Sequence, residues 1–145
     1  MLAAITAILG LCGSGKSSLA KRLAGVELFD EGVAPGWPNH GRFLEALAAG
    51  KDCAIVEVAY CIEEQRIEFV NGILARYPGT TFNWLCLEND LAAANANCRE
   101  DPARTKDQIE GNIAQNAWMT EHYTYPPGAV VLKIVSRSDP PSRQC

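Results

Sequence analysis

The sequence predicts an α/β fold in which a parallel β-sheet is covered by helices on both faces. Five apolar runs alternate with segments whose apolar residues recur at helical spacing. Such alternation is typical of parallel strands joined by right-handed helical crossovers. The 145 residues, of which 48% are hydrophobic and 21% charged, suffice for one domain with a sizeable core. We therefore expect a single domain over residues 1–145, although the pattern alone does not fix the order of the strands.

The first part of the chain predicts two strands around a glycine-rich turn and a helix. The first strand, Ala3–Leu9, is a short apolar run, and the SSLAKRLAG segment after the turn predicts a helix from Lys16 to about Ala24. A short second strand, Val26–Phe29, ends in Asp30. Glycine and proline recur over residues 31–41, so this segment is predicted to be a loop.

The middle of the chain predicts a helix, a strand, a longer helix and another strand. A short helix, Arg42–Ala49, precedes a third strand, Cys53–Tyr60. In the next helix, Glu63–Tyr77, the apolar side chains gather on one side, and a Pro-Gly pair ends it. The fourth strand is Thr81–Leu87.

The last part predicts two helices and a final strand. A polar, alanine-rich helix runs from Asp90 to about Cys98, and the charged stretch REDPARTKD follows it. Thr105 and Gln108 have the spacing of a capping box, which begins a helix over about residues 106–122. The fifth strand covers residues 129–135, and the segment beyond it is expected to be frayed.

The most specific motif is GLCGSGKS at residues 10–17, a complete G-x-x-x-x-G-K-[ST] phosphate-binding loop. Its glycines allow successive backbone N–H groups to surround a β-phosphate. Lys16 is expected to contact the β- and γ-phosphates, and the Ser17 hydroxyl is expected to bind the Mg²⁺ between them. A chance glycine turn is disfavoured by the apolar run before the motif and the amphipathic segment after it. The predicted nucleotide-binding residues are Gly10, Gly13, Ser14, Gly15, Lys16, Ser17 and Ser18.

Charge, hydropathy and cysteine spacing exclude several classes of protein. A net charge of −4 disfavours a protein that coats nucleic acid without specificity, but it leaves room for a local basic groove. No apolar stretch reaches transmembrane length, so we expect no membrane association and a cytoplasmic location. The six cysteines form no C-x-x-C pair, which favours reduced thiols over a metal site. Cys12 lies inside the phosphate loop, where oxidation could block nucleotide binding.

The sequence resembles the small P-loop kinases in four features taken together: the GLCGSGKSS loop, the acidic residue after the second strand, the acidic residue in the third strand and the arginines after the fourth strand. This superfamily includes shikimate and gluconate kinases, nucleoside monophosphate kinases, polynucleotide kinases and zeta-toxin-like kinases. As a pattern of elements the resemblance covers nearly the whole chain. It implies an ATP-dependent kinase that uses Mg²⁺, a three-layer fold with sheet order 2-3-1-4-5, and a mobile lid near residues 99–107.

Two carboxylates are predicted near the crevice at the carboxyl ends of the strands. The resemblance implies that Asp30 orients or deprotonates the acceptor hydroxyl, with Glu31 as its substitute; the alternative is a turn-forming aspartate in FDEG. Glu57 lies in the otherwise apolar run CAIVEVAYC, where burying a carboxylate is costly. We interpret it as a Walker B equivalent that holds a Mg²⁺-bound water or contacts the acceptor, although related kinases usually carry aspartate there. The alternative is a carboxylate that reaches solvent near the strand end.

Three arginines are candidates for contacts with the phosphates or the acceptor. Arg99 and Arg104 flank REDPAR, where the resemblance places lid arginines, and either is a candidate for catalysis. Phosphoryl transfer uses such cations because negative charge spreads over the transferring oxygens. A solvated run of charges is the alternative. Arg66, in the helix after the third strand, is the third candidate.

The acceptor is predicted from further resemblance. The segment GVAPGWPNHGRFLEALAAG is too short for the helical insert of monophosphate kinases. The stretch AYCIEEQRIEFVNGILARYPG and the Asn97-x-Arg99 spacing are similar to the polynucleotide kinase and zeta-toxin branch. A compact phage-type kinase, such as the 5-hydroxymethyluracil DNA kinases, fits this branch and would work in the host cytoplasm. DNA is therefore the favoured acceptor.

A polymer acceptor needs an open cleft and a side chain that stacks on a base. Trp37 and His40 lie in the loop after Asp30 and are predicted to bind the acceptor together with Arg42. The alternative for Trp37 is an aromatic side chain that covers the core. Two other functions stay open: a small-metabolite kinase, whose closed pocket would hold its acceptor with arginines, and a regulatory nucleotide binder, although the lack of an N-K-x-D run argues against a GTPase.

Overall fold

The computed structural model describes residues 2–138 of the chain. Five strands form one parallel sheet in the order β2-β3-β1-β4-β5, which confirms the predicted α/β class and sheet order. The strands are β1 (Ala4–Leu9), β2 (Glu27–Asp30), β3 (Cys53–Val56), β4 (Thr81–Leu87) and β5 (Val130–Leu132). The helices are α1 (Lys16–Ala20), α2 (His40–Ala48), α3 (Glu63–Arg76), α4 (Leu91–Glu100) and α5 (Lys106–Met119).

The central strand β1 pairs with β3 on one side and with β4 on the other. Helices cover both faces of the sheet, so its apolar residues run continuously instead of alternating with polar ones. Ile5, Ala7 and Leu9 belong to the larger core cluster, which also contains residues of α2, α3 and α5. Ile8 belongs to the smaller cluster, which packs against α1. The phosphate loop therefore follows the central strand of the sheet.

The third strand is shorter than predicted because the chain turns away from the ladder after Val56. The prediction of a strand over Cys53–Tyr60 was wrong in its second half, where Val58–Cys61 form a 3-10 turn. The backbone of Glu57 is still extended, and its N–H donates to the carbonyl of Ile8 at 3.4 Å. Glu57 therefore lies at the carboxyl edge of the sheet and not inside a strand.

Other boundaries differ from the prediction at helix and strand ends. The first helix ends at Ala20, and Gly25, at φ 74°, turns the chain into β2. The last strand has only three residues, since the chain then passes over α4. The predicted capping box of α5 is confirmed, because the Gln108 N–H donates to the Thr105 hydroxyl and the Thr105 N–H donates to the Gln108 side chain.

The expected frayed tail falls outside the described residues from residue 139 onward. Within residues 2–138, none of the helices combines the length and apolar character needed to cross a membrane.

Candidate nucleotide-binding and phosphotransfer site

The phosphate loop connects β1 to α1 through two glycines in the left-handed region. Gly13 has φ 84° and Gly15 has φ 97°, conformations that are costly for other residues. Between them, the Ser14 N–H donates to the carbonyl of Leu11 at 3.1 Å. The side chain of Lys16 is only 8% exposed, and its Nζ donates to the same carbonyl at 2.9 Å. The loop thus holds its lysine close to its own backbone.

The cradle formed by this loop fits a phosphate group. A Cβ built on Gly15 would have no atom within 4 Å, so the backbone there borders open space. The buried hydroxyl of Ser14 has no hydrogen-bond partner within the described residues. The loop lines a crevice with a volume of 1110 Å³, which extends to the end of α4 and the start of α5. A nucleotide triphosphate fits this combination of unpaired donor, open backbone and space.

The structure brings together Ser17 and Asp30, two of the predicted site residues. Asp30 ends β2, Ser17 lies in the first turn of α1, and the Ser17 hydroxyl donates to Asp30 Oδ2 at 2.9 Å. Hydroxyl and carboxylate oxygens are ligands that Mg²⁺ accepts. No group of three or more His, Cys, Asp or Glu residues suited to a metal occurs within residues 2–138. Mg²⁺ binds few protein oxygens and usually shares its coordination with phosphates.

Glu57 and Glu31 lie beside Asp30 at the same edge of the sheet. Glu57 is half-buried, and its Oε2 accepts a hydrogen bond from the Gly32 N–H at 3.1 Å. Burial raises the pKa of Glu57, and the negative charge of Glu31 raises it further, while hydrogen bonds from Gly32 and Ala59 and the charge of Lys16 oppose the shift. The Glu57 carboxylate thus lies at the end of β3, hydrogen-bonded to the turn after β2.

The turn that carries Glu31 is strained and held in place. Glu31 has φ 65°, and no other non-glycine residue within the described range has a positive φ. Its N–H donates to the carbonyl of Val56 at 2.8 Å, and its own carbonyl accepts from Asn39 Nδ2 at 2.7 Å. These bonds offset the strain, which is of order 1–3 kcal/mol for such a conformation. The turn therefore holds Glu31 in a fixed geometry at the lining of the crevice.

The two arginines that were predicted to lie in a lid, Arg99 and Arg104, have different positions. Arg104 lines the crevice and is held by three side chains: its Nε donates to Asp101 Oδ2 at 2.9 Å, and its Nη1 donates to Asn112 Oδ1 at 2.6 Å and to Cys98 Sγ at 3.1 Å. Arg99 is exposed on α4 and does not line the crevice. Of these two candidates, the geometry favours Arg104.

Of the predicted acceptor-binding residues after β2, Trp37 lies in the loop, whereas His40 and Arg42 lie in the first turn of α2. Trp37 is 64% exposed, so it does not cover the core as its alternative interpretation proposed. His40 Nδ1 lies 2.8 Å from the carbonyl of Val33. The Arg42 guanidinium lies 5.4 Å from the centre of the Phe29 ring and donates to Asn39 Oδ1 at 3.5 Å. Both polar side chains are thus held against their own loop, while the Trp37 ring is available to a ligand.

Arg66 does not have the surroundings of an acceptor ligand. It is only 5% exposed, and its Nη1 donates to the carbonyls of Tyr60 and Thr124, each at 3.0 Å. Its Nη2 donates to the Thr124 hydroxyl at 3.1 Å, and its guanidinium lies 6.0 Å from the centre of the Trp84 ring. These contacts correct the predicted acceptor role, because the guanidinium joins α3 to the segment after α5.

Two buried asparagines contact the phosphate loop and were not predicted. Asn116, on α5, is fully buried, and its side chain bonds both the N–H and the carbonyl of Cys12. Asn97, on α4, donates to the carbonyls of Gly13 and Val135, each at 3.0 Å. The sequence feature that could have indicated Asn116 is its position on the apolar stripe of the last helix, where a polar residue is unusual.

The five described cysteines are free thiols, as predicted. Burial raises the pKa of Cys53 to about 11 and that of Cys61 to about 12, so both stay protonated at neutral pH. Cys12 is partly exposed, and its Sγ donates to Gln115 Oε1 at 3.0 Å. The prediction that its oxidation blocks nucleotide binding stays a prediction.

Known structures share this architecture. No family model and no curated protein sequence matches the chain. A gluconokinase from Sinorhizobium meliloti 1021 is similar with a TM-score of 0.64 and 16% identity, over 97% of this chain and 86% of that one. The protein APE1195 is similar with a TM-score of 0.61 and 18% identity, over 99% and 90%. An uncharacterized protein from Eubacterium ventriosum ATCC 27560 is similar with a TM-score of 0.51 and 15% identity, over 91% and 90%. At these identities the likeness concerns the fold, and the chain has the fold of a P-loop kinase.

Proposed function

We propose that the protein is an ATP-dependent kinase that transfers the γ-phosphate to a hydroxyl group. The observation that carries the proposal is the bond between Ser17 and Asp30. It joins the serine of a complete phosphate-binding motif to a carboxylate at the end of the neighbouring strand. A phosphate donor and a hydroxyl acceptor need these two groups at one place, since transfer requires reactants that are held in line and close together.

On the donor side, Lys16 and the loop backbone bind the triphosphate. The Lys16 ammonium lies close to the loop and would contact the β- and γ-phosphate oxygens, where its charge offsets theirs. Mg²⁺, held by Ser17 together with the carboxylate of Glu57, would neutralise charge on the same oxygens. Arg104, at the mouth of the crevice, would stabilise the charge that develops during transfer.

On the acceptor side, Asp30 receives the proton of the attacking hydroxyl. A carboxylate in hydrogen-bond reach of that hydroxyl orients it and accepts its proton as the new P–O bond forms. Glu31 follows Asp30 in the chain, and its charge acts on Glu57. These carboxylates disfavour an anionic acceptor, so the group proposed to enter here is an uncharged alcohol.

The favoured acceptor is a hydroxyl on nucleic acid, carried by a modified base such as 5-hydroxymethyluracil. Two observations support it. The exposed Trp37 ring follows Asp30 by seven residues and offers a face on which a base can stack. Arg66, the arginine predicted to hold an acceptor, binds oxygens of the core instead. A base extruded from DNA would bring an uncharged hydroxyl to the carboxylates and keep the backbone phosphates outside.

A small-metabolite kinase is the second candidate. It is favoured by the gluconokinase among the structures with a similar fold. The carboxylates at the acceptor position favour a neutral sugar or polyol over an acid for this alternative.

Transfer of labelled phosphate tests the proposal. The protein is incubated with γ-labelled ATP, Mg²⁺ and parallel acceptors: DNA with 5-hydroxymethyluracil, the same DNA with thymine, DNA with a free 5′ hydroxyl, nucleosides, gluconate and neutral sugars. We expect label in the hydroxymethyluracil DNA and none in the thymine control. Label only in a small compound would support the second candidate.

The Lys16→Ala variant is the control for this assay. It is expected to abolish transfer and leave the fold intact, because the lysine side chain contacts a single loop carbonyl. ATP hydrolysis by the wild type with label in none of the acceptors would contradict the kinase proposal and support a nucleotide-dependent switch.

A further inference from the structure

The helical hairpin formed by α4 and α5, residues 91–119, holds the phosphate loop from the side. Asn116 Oδ1 accepts from the Cys12 N–H at 2.8 Å, and its Nδ2 donates to the Cys12 carbonyl at 2.9 Å. The same Nδ2 donates to Asn95 Oδ1 at 3.0 Å, which fixes the side chain from within the hairpin. One fully buried side chain thus satisfies both polar groups of a single loop residue.

A second set of contacts from the hairpin fixes the next carbonyl of the loop. Asn97 Nδ2 donates to the Gly13 carbonyl at 3.0 Å, and the Cys98 thiol donates to the Cys12 carbonyl at 3.3 Å. Two successive loop carbonyls therefore point toward the hairpin. Nothing in the sequence motif requires these contacts, since the motif ends at residue 17 and the asparagines lie at least 80 residues further on.

Peptide geometry converts these contacts into a constraint on phosphate binding. A trans peptide is planar, so its carbonyl and the following N–H point in opposite directions. With the Cys12 carbonyl held toward the hairpin, the Gly13 N–H points away from it. The Gly13 carbonyl has the same relation to the Ser14 N–H, which donates within the loop to the Leu11 carbonyl. The hairpin contacts thus set the directions of the backbone donors in the loop.

We propose that Asn116, assisted by Asn97, is a positioning residue that holds the phosphate loop in its phosphate-binding conformation. It acts on affinity for the β- and γ-phosphates and not on affinity for the nucleoside. The inference rests on the part of the proposed function that assigns nucleotide binding to the loop. It is independent of the acceptor and of transfer. Arg104 belongs to the same hairpin, where its Nη1 donates to Asn112 Oδ1 of α5.

Nucleotide binding to the Asn116→Ala variant tests the inference. Dissociation constants are measured by calorimetry for Mg²⁺ with β,γ-imido-ATP and for AMP, which lacks the β- and γ-phosphates. We expect imido-ATP to bind about tenfold more weakly or worse, because losing hydrogen bonds to a buried group has effects of this order. AMP affinity should change by less than about threefold.

Asn89→Ala is the matched control. Like Asn116, Asn89 bonds one residue twice through its side chain: its Nδ2 donates to the Thr120 carbonyl at 2.9 Å, and its Oδ1 accepts from the Thr120 hydroxyl at 2.7 Å. These bonds anchor the region after α5 and do not involve the phosphate loop. Both nucleotides should bind this variant with nearly wild-type affinity. The inference would be overturned if Asn116→Ala weakened the binding of imido-ATP and of AMP equally. It would also be overturned if Asn89→Ala weakened imido-ATP binding selectively in the same way.

A second variant keeps the test decisive if Asn116→Ala fails to fold. Asn97→Ala removes a separate loop contact and should also weaken imido-ATP more than AMP. An unchanged ratio of the two dissociation constants in a folded Asn97→Ala protein would contradict the inference. A failure of the proposed kinase activity leaves all these readouts intact, since they measure binding alone.

Discussion

Alanine substitutions at the two left-handed glycines of the loop are expected to damage the protein in different ways. Both Gly13→Ala and Gly15→Ala place a side chain at positive φ, which costs about 1–2 kcal/mol. At Gly13 the new Cβ would also overlap the carbonyl oxygen of Ala94 and lie 2.7 Å from Cys98 Sγ. Overpacking of this kind costs a further 1–3 kcal/mol or so, since a helix backbone cannot move aside easily.

The expected loss of unfolding free energy is therefore about 2–5 kcal/mol for Gly13→Ala and about 1–2 kcal/mol for Gly15→Ala. Relative to its loss of stability, Gly15→Ala should lose more nucleotide affinity than Gly13→Ala does. The Cβ at residue 15 enters the open space where a phosphate would bind, with no protein atom within 4 Å of it. Binding of imido-ATP should fall by about tenfold or more without a large loss of stability.

Urea unfolding followed by circular dichroism gives the two free energies, and calorimetry gives the affinities of the folded variants. A Gly15→Ala protein that loses as much stability as Gly13→Ala would contradict the predicted overlap, because of these two glycines only Gly13 lies against α4. Unchanged imido-ATP affinity in Gly15→Ala would refute the assignment of the open cradle to a phosphate.

Three further predictions separate structural from functional roles. Arg66→Met should lower the unfolding free energy by about 3 kcal/mol or more, since it leaves buried oxygens without a donor, and unchanged stability in urea would contradict the structural role. Because the pKa of Glu57 is raised in the folded state, its ionisation costs stability, and that cost appears as the pH rises through the folded-state pKa. Glu57→Gln should therefore melt at a higher temperature than the wild type at pH 8, with a smaller advantage at pH 4, and a gain independent of pH would count against this reasoning. Arg104→Ala should slow phosphate transfer by about 100-fold or more. Arg99→Ala, whose side chain lies outside the crevice, should change the transfer rate by less than about threefold. Equal effects of the two substitutions would contradict a specific role of Arg104 and indicate a general effect of positive charge.

Local patterns were sufficient for much of the fold. Apolar runs and helical spacing located all five strands, and the boundaries of β4 agree with the prediction at both ends. The third strand was overestimated because the apolar run continues through Val58–Cys61, and hydropathy does not distinguish an extended strand from a buried 3-10 turn. A local sequence pattern therefore does not predict the residue at which the hydrogen bonds between β3 and its neighbouring strands end.

The site was predictable where its residues belong to a contiguous motif and less so where it depends on distant contacts. The phosphate loop and Asp30 could be located because one has a specific spacing and the other ends a strand. Arg66 was misassigned, since a charged residue on a helix gives no indication of partners 58 residues away, such as Thr124. Asn116 was missed for the same reason, because its contact with Cys12 spans 104 residues.

Asp30 is proposed to act on the acceptor hydroxyl, beside a loop that binds the phosphate donor. The most direct measurement compares Asp30→Asn with the wild type in two quantities: the rate of labelled phosphate transfer to the acceptor identified by the panel, and the dissociation constant for imido-ATP. The transfer rate should fall by about 100-fold or more, while imido-ATP affinity should stay within about threefold, because asparagine keeps an oxygen for the Ser17 hydroxyl but is a poor proton acceptor. Equal losses in both quantities, or transfer at nearly the wild-type rate, would contradict this role of Asp30.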